Sequence, residues 1–151
     1  MRSLDIFNKL ADYQPLLAGT IPLDIAIASS DLDIICRCKN HIEFTEKLQK
    51  CYGQEPSFTI KLKELNGIST TIAKFEGQKF KIEIVGQNIP SEKQQAFRHV
   101  LVEHHILEQK GTRFKQQIIA LKKAGIKTEP AFAALLGLTG DPYKALLKIT
   151  I

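Results

Sequence analysis

Asp31 and Asp33 are two carboxylates one residue apart in an otherwise apolar run, with Leu32 between them and Ile34-Ile35 after them. Successive strand residues point to opposite faces, so in an extended chain these two acids stand side by side on one face. A third acid, Glu83, lies between Ile82 and Ile84 in a second strand-like run, and Gly19-Thr20 lie shortly before the acidic pair. Oxygen donors gathered on one side, with room left for phosphate oxygens and water, suit Mg²⁺ or Mn²⁺ better than zinc. Taken singly, a lone Asp-x-Asp is usually a solvated strand edge or turn, and Glu83 alone is a weaker signal still, because Lys79 to Val85 alternates polar and apolar residues. The conjunction of the three is what points to phosphoryl chemistry.

The order of these parts is an apolar run, Leu16-Leu17-Ala18, ending in Gly19-Thr20, then Asp31-Leu32-Asp33, then Glu83. It resembles the nucleotidyltransferase superfamily, which shares the polymerase-beta-type palm. The resemblance implies that Asp31, Asp33 and Glu83 are catalytic and ligate two divalent ions about 3.5–4 Å apart. It further implies that Glu83 helps to deprotonate the acceptor hydroxyl. Gly19, whose missing Cβ lets the backbone approach a triphosphate, and Thr20, with its hydroxyl donor, are implied to bind the nucleotide phosphates. Thr20 stands where the family usually has Ser, and Ile21 to Ser30 holds no Arg or Lys where many relatives place one. Arg98, His99 and Lys127 are therefore the candidates for supplying positive charge to phosphate or acceptor. Pro22 to Ala28 reads as extended chain, and Asp24 within it as a surface or capping acid in preference to a further ligand.

A narrower resemblance covers nearly the whole chain. Leu17 to Pro22, Ser30 to Cys36, Gln95 to His99 and Gly125 to Phe132 look like an uncharacterised bacterial family within that superfamily, a domain of unknown function.

With 151 residues and 44% hydrophobic content, the chain suits one domain burying roughly 70% of its unfolded surface. Cys36, Cys38 and Cys51 are an odd number, and no basic segment leads into an apolar stretch at the start. The expectation is a cytoplasmic protein with reduced thiols and no membrane span. Cys36-x-Cys38 lacks the spacing of a zinc site and reads as packing. The formal charge of +5 admits an anionic substrate. Lys61, Lys63, Lys74, Lys79 and Lys81 read as solvated strand decoration rather than a nucleic-acid patch, since aromatics are only 7% of the chain and Trp is absent.

The elements follow from periodicity and turn chemistry. Ser3 caps a helix to about Tyr13, and strands cover Pro15 to Gly19 and Asp31 to Cys38. A helix over Asn40 to Cys51 buries Ile42, Phe44, Leu48 and Tyr52. Ser57 to Leu65, Ser69 to Phe75 and Gln78 to Val85 form a meander, because Asn66-Gly67 is a strong hairpin signal and Glu76-Gly77 repeats it. After Pro90 the pattern is helical. Ser91-x-x-Gln94 reads as a capping box opening a helix to about Lys110, with Ala96, Phe97, Val100, Leu101, His104 and Leu107 on its inner face. Further helices run from Gly111-Thr112 to Ala124, from Thr128 to about Leu136, and from Gly140-Asp141-Pro142 onward.

The expected fold is α+β: a nucleotidyltransferase-like mixed β-sheet with packed helices and a C-terminal helical section, in a single domain over 1–151 with the sheet in 1–89 and the helices in 90–151. The expected function is metal-dependent transfer of a nucleoside monophosphate from a nucleoside triphosphate to a hydroxyl or phosphate of a small molecule, protein or RNA. The chief rival is a catalytically degenerate nucleotide- or protein-binding module of the same fold, its exposed helices available for a homodimer. An antitoxin-like or RNA-associated module is a third reading.

Overall fold

The computed structural model describes residues 5–150; the expected cap at Ser3 lies outside them. The chain divides into two compact units, one of residues 1–18 and 31–94, the other of residues 19–30 and 95–151.

The first unit is built on five strands: β1 (Leu16–Ala18), β2 (Leu32–Arg37), β3 (Thr59–Leu65), β4 (Ile68–Glu76) and β5 (Lys81–Gln87). Their order across the sheet is β1-β2-β5-β4-β3. β2 and β5 are parallel neighbours, and every other pairing is antiparallel. The meander forms as expected, with Asn66 and Gly67 both at positive φ in its first turn. Helix α1 (Ile6–Lys9) precedes the sheet, and α2 (His41–Tyr52) follows β2. Asn40 starts α2 by accepting from the backbone N–H groups of Ile42 and Glu43, a side-chain cap worth about 1 kcal/mol.

Alternation sorts each central strand into two faces. Ile34 and Cys36 of β2, Ile82 and Ile84 of β5, and Ala73 and Phe75 of β4 join Phe44, Leu48 and Tyr52 of α2 in one core. Tyr52 stacks on Phe75 with ring centroids 5.0 Å apart. Ile42 is 72% exposed, contrary to its expected burial, because the inward stripe of α2 runs through Phe44, Leu48 and Tyr52 alone. Burial pushes the Cys36 thiol up to about 12 and the Cys38 thiol up to about 11. Both stay protonated at neutral pH and serve as packing.

The second unit contains α3 (Gln95–Lys123), α4 (Thr128–Leu136) and α5 (Pro142–Leu147). Gly111, at φ 80°, breaks α3 into two helices, matching the helix boundary expected there. Ser91 and Gln94 do not form a capping box. Both are buried in the first unit, where the Ser91 hydroxyl donates to the Gln14 carbonyl and the Gln94 amide donates to the carbonyls of Cys36 and Ile89. Their side chains are committed to loop and strand carbonyls and are not free to cap α3.

The inner face of α3 is also rotated from the expected one. His99, Val100, Val102, Glu103 and Ile106 are buried, whereas Leu101 is exposed and His104 pairs in solvent with Glu108 at 3.4 Å. Apolar counting missed this phase because two of the buried positions are polar. His99 Nε2 donates to the Tyr143 carbonyl at 2.9 Å. The segment 19–30 forms turns rather than extended chain. Lys115 Nζ reaches Asp24 Oδ2 at 2.9 Å, and Lys122 Nζ donates to the Ile25 carbonyl at 2.7 Å, so two lysines of α3 hold it folded. Among the described residues, no helix is long and apolar enough to cross a membrane.

Two predictions concern packing and charge. A Cβ at Gly86 would overlap the Phe44 ring at Cε2 and stand 2.8 Å from Cδ2 and 3.1 Å from Cys38 Sγ. Gly86→Ala should cost about 1–3 kcal/mol by overpacking, read as a Tm several degrees lower; an unchanged Tm would contradict the packing of α2 on β5. The carboxyl of Glu103 is raised to about 9 by burial first, then by the charge of Glu129 and a hydrogen bond with it, with Lys122 opposing. The folded state therefore keeps a proton that the unfolded chain loses, and stability falls as pH rises from about 4.5 to about 9. Thermal melts across that window should be flatter for Glu103→Gln, which cannot ionise, and parallel curves would contradict the buried neutral acid.

Candidate active site

The face of the central strands opposite α2 carries the acids. Asp33 and Glu83 are Cα partners across the parallel β2–β5 pair. Asp31, two residues before Asp33, points the same way. Their carboxylate oxygens lie within 4.8 Å of one another, and all three residues are half-buried. The positions are fixed from behind: Ile34, Ile82 and Ile84, which alternate with these acids, are at most 4% exposed. A register slip of one residue would move the apolar set to the other face and cost the core.

Three carboxylates at this range repel one another, and Lys74 brings a positive charge beside one of them. It is the partner of Glu83 on β4, with Nζ 3.8 Å from Oε2. Lys74 is 56% exposed, and an exposed pair of this kind contributes about 1 kcal/mol at most. The donor set is all oxygen, anionic and half open, which fits a hard divalent cation such as Mg²⁺ or Mn²⁺.

Lys74 was read from the sequence as solvated decoration. The turn that sets it opposite Glu83 covers residues 77–80, between the partners Glu76 and Lys81, and is longer than the tight turn expected at Glu76-Gly77, so the sequence did not show the pairing.

β1 pairs antiparallel with β2 and ends at Ala18, the Cα partner of Asp33. Gly19 is the next residue, and its φ of 73° is the left-handed conformation that favours glycine. The Thr20 carbonyl accepts from the N–H groups of Leu23 and Ile25, both at 3.2 Å, and its hydroxyl donates to Ser30 Oγ at 3.4 Å. Gly19 and Thr20 thus begin a tight loop with backbone groups turned in on itself. Arg98 is exposed on α3, and Lys127 is exposed at the position that caps α4. His99 is corrected from a phosphate-holding candidate to a buried structural residue, its ring nitrogen committed to the Tyr143 carbonyl.

A family model described as domain of unknown function DUF4269 matches residues 1–149, and the chain belongs to that family. No curated protein matches the sequence. Among solved structures, Cid1 poly(U) polymerase is similar at TM-score 0.55 and 16% identity, covering 79% of this chain and 38% of that one. Cid1 in complex with the UTP analog UMPNPP is similar at TM-score 0.54 and 18% identity, covering 79% and 37%. A chain of the GLD-2/RNP-8 complex is similar at TM-score 0.56 and 13% identity, covering 87% of this chain and 51% of that one. The chain therefore spans from about a third to about half of the length of these neighbours. The likeness establishes the nucleotidyltransferase fold.

If the three acids form one cation site, Mg²⁺ or Mn²⁺ should raise the Tm of the wild type by binding only the folded form. Asp33→Asn should abolish that shift while leaving the protein folded. A variant that unfolds, with a wild type indifferent to metal, would make these acids structural.

Proposed function

We propose that this DUF4269 member is a divalent-metal-dependent nucleotidyltransferase that acts as one domain and moves a nucleoside monophosphate from a nucleoside triphosphate to an acceptor hydroxyl or phosphate. The observation that carries the reading is the convergence of the Asp31, Asp33 and Glu83 oxygens within 4.8 Å on adjacent parallel strands of this fold. Among the fold's neighbours, Cid1 is a poly(U) polymerase with UTP selectivity, which supports the same reading.

In this proposal Asp31, Asp33 and Glu83 hold Mg²⁺ or Mn²⁺. A bound divalent ion supplies positive charge to phosphate oxygens where negative charge builds up during the transfer. Glu83 accepts the proton of the acceptor hydroxyl as its oxygen bonds to the α-phosphorus. The bond between the α-phosphorus and the bridging oxygen breaks, and pyrophosphate leaves with that oxygen. Gly19 offers backbone, and Thr20 its hydroxyl, to the phosphates. Arg98 and Lys127 add positive charge to phosphate or acceptor. Without substrate the Thr20 hydroxyl donates to Ser30 Oγ at 3.4 Å, and it exchanges that partner for a phosphate oxygen when the nucleotide binds.

The test is incubation with each of the four common nucleoside triphosphates and Mg²⁺ or Mn²⁺, following pyrophosphate release and metal-dependent nucleotide binding. The expected result is release with at least one nucleotide, lost in Asp31→Asn. Thr20→Val keeps shape and removes the hydroxyl, so nucleotide affinity should fall by about 1.5–3 kcal/mol, the range for a hydrogen bond to a charged group. Nucleotide binding without metal that survives loss of both Asp31 and Asp33, with no pyrophosphate, would replace the enzyme with a binding module.

A further inference from the structure

The sheet face that carries the acids continues past them as a row of lysines. Strand register shows this directly. Glu83 of β5 is opposite Lys74 of β4, and Lys74 is opposite Thr59 of β3. Because side chains alternate, Thr59, Lys61 and Lys63 share the face of Lys74, Glu83 and Asp33. Glu64, the acid of β3, falls on the other face with Ile60 and Leu62. The lysines of β3 thus stand on the acid-bearing face, where β3 itself offers no carboxylate; Glu76 of β4 shares that face, opposite Lys81 of β5.

β3 is the outermost strand of the sheet, and Lys61 and Lys63 are both exposed. Two strand spacings, roughly 10 Å, separate β3 from β5. The row begins 3.8 Å from the Glu83 carboxylate at Lys74 Nζ and runs outward along an open edge. No aromatic residue stands on this face of β3 or β4, where Thr59, Lys61, Lys63 and Leu65 are flanked by Ile68, Thr70, Ile72 and Lys74. Cations without stacking side chains beside them hold phosphates by charge alone and do not read bases.

We infer that Lys74, Lys61 and Lys63 form a track for the phosphodiester backbone of a single-stranded nucleic-acid acceptor, leading its end to the acids. The inference names the acceptor for the proposed transferase and rests on that reading. Three lysines neutralising three phosphates predict a log–log salt slope of about −2, so affinity should fall roughly 20-fold between about 50 and 200 mM salt. Removing two of the three contacts should flatten the slope to about −0.7, a loss of only about threefold over the same range.

The experiment is fluorescence anisotropy with a labelled single-stranded oligoribonucleotide of about 12 nucleotides, comparing the full chain with its Lys61→Gln/Lys63→Gln variant over that salt range. The supporting result is weaker binding at low salt and the flatter slope in the variant. Metal-dependent triphosphate binding, measured alongside, should be unchanged in the variant, because neither lysine belongs to the acid site. Oligonucleotide binding that depends on these lysines in a protein with no metal-dependent triphosphate binding would sustain the track and sink the transferase. Normal triphosphate binding with no oligonucleotide binding, or with binding equal in the two proteins, would overturn the track alone. A variant that binds the oligonucleotide like the wild type but self-associates on gel filtration would also overturn it. The lysines would then protect an open strand edge from pairing with a second copy.

Discussion

The parallel pairing of β2 with β5 is the constraint on which the rest depends. Among the described residues it is the one parallel contact in an otherwise antiparallel sheet, and it sets Asp33 directly across from Glu83 although they are far apart in sequence. The same pairing aligns Leu32 with Ile82 and Ile34 with Ile84, so the apolar residues that alternate with the acids form the centre of the core under α2. Core and site are two faces of one register. The hydrophobic term that fixes the core, about 25 cal/mol for each Å² buried, thereby holds three mutually repelling carboxylates together.

Much of this was legible because it depends on period-two alternation. Asp31-Leu32-Asp33 and Ile82-Glu83-Ile84 declare their faces without tertiary information, and Asn66-Gly67 fixes the hairpin that carries β4 back beside β3. The Gly111 break and the starts of α4 and α5 were similarly visible, since Gly and Pro limit the backbone locally.

What was not legible involved polar residues placed in the interior by tertiary partners. The inner face of α3 runs through His99 and Glu103, which apolar counting rejects, and it leaves Leu101 and His104 outside. Ser91 and Gln94 have the spacing of a capping box, but their side chains are satisfied by carbonyls at Gln14, Cys36 and Ile89. The turn structure over residues 19–30 depends on lysines of α3 about ninety residues away, Lys115 and Lys122. The face shared by Lys61, Lys63 and Lys74 appears only once strand register is known, which is why scattered lysines in the sequence become a row on the sheet.

The central claim is that Asp31, Asp33 and Glu83 act as one cation site. A Mn²⁺ titration followed by electron paramagnetic resonance tests it most directly, comparing the wild type with Asp31→Asn, Asp33→Asn and Glu83→Gln separately. One site built from three ligands predicts that each single change weakens the same protein-bound Mn²⁺ signal, with all three variants still folded. Bound Mn²⁺ that is unaffected by any of the three changes, or no bound Mn²⁺ in the wild type, would contradict it.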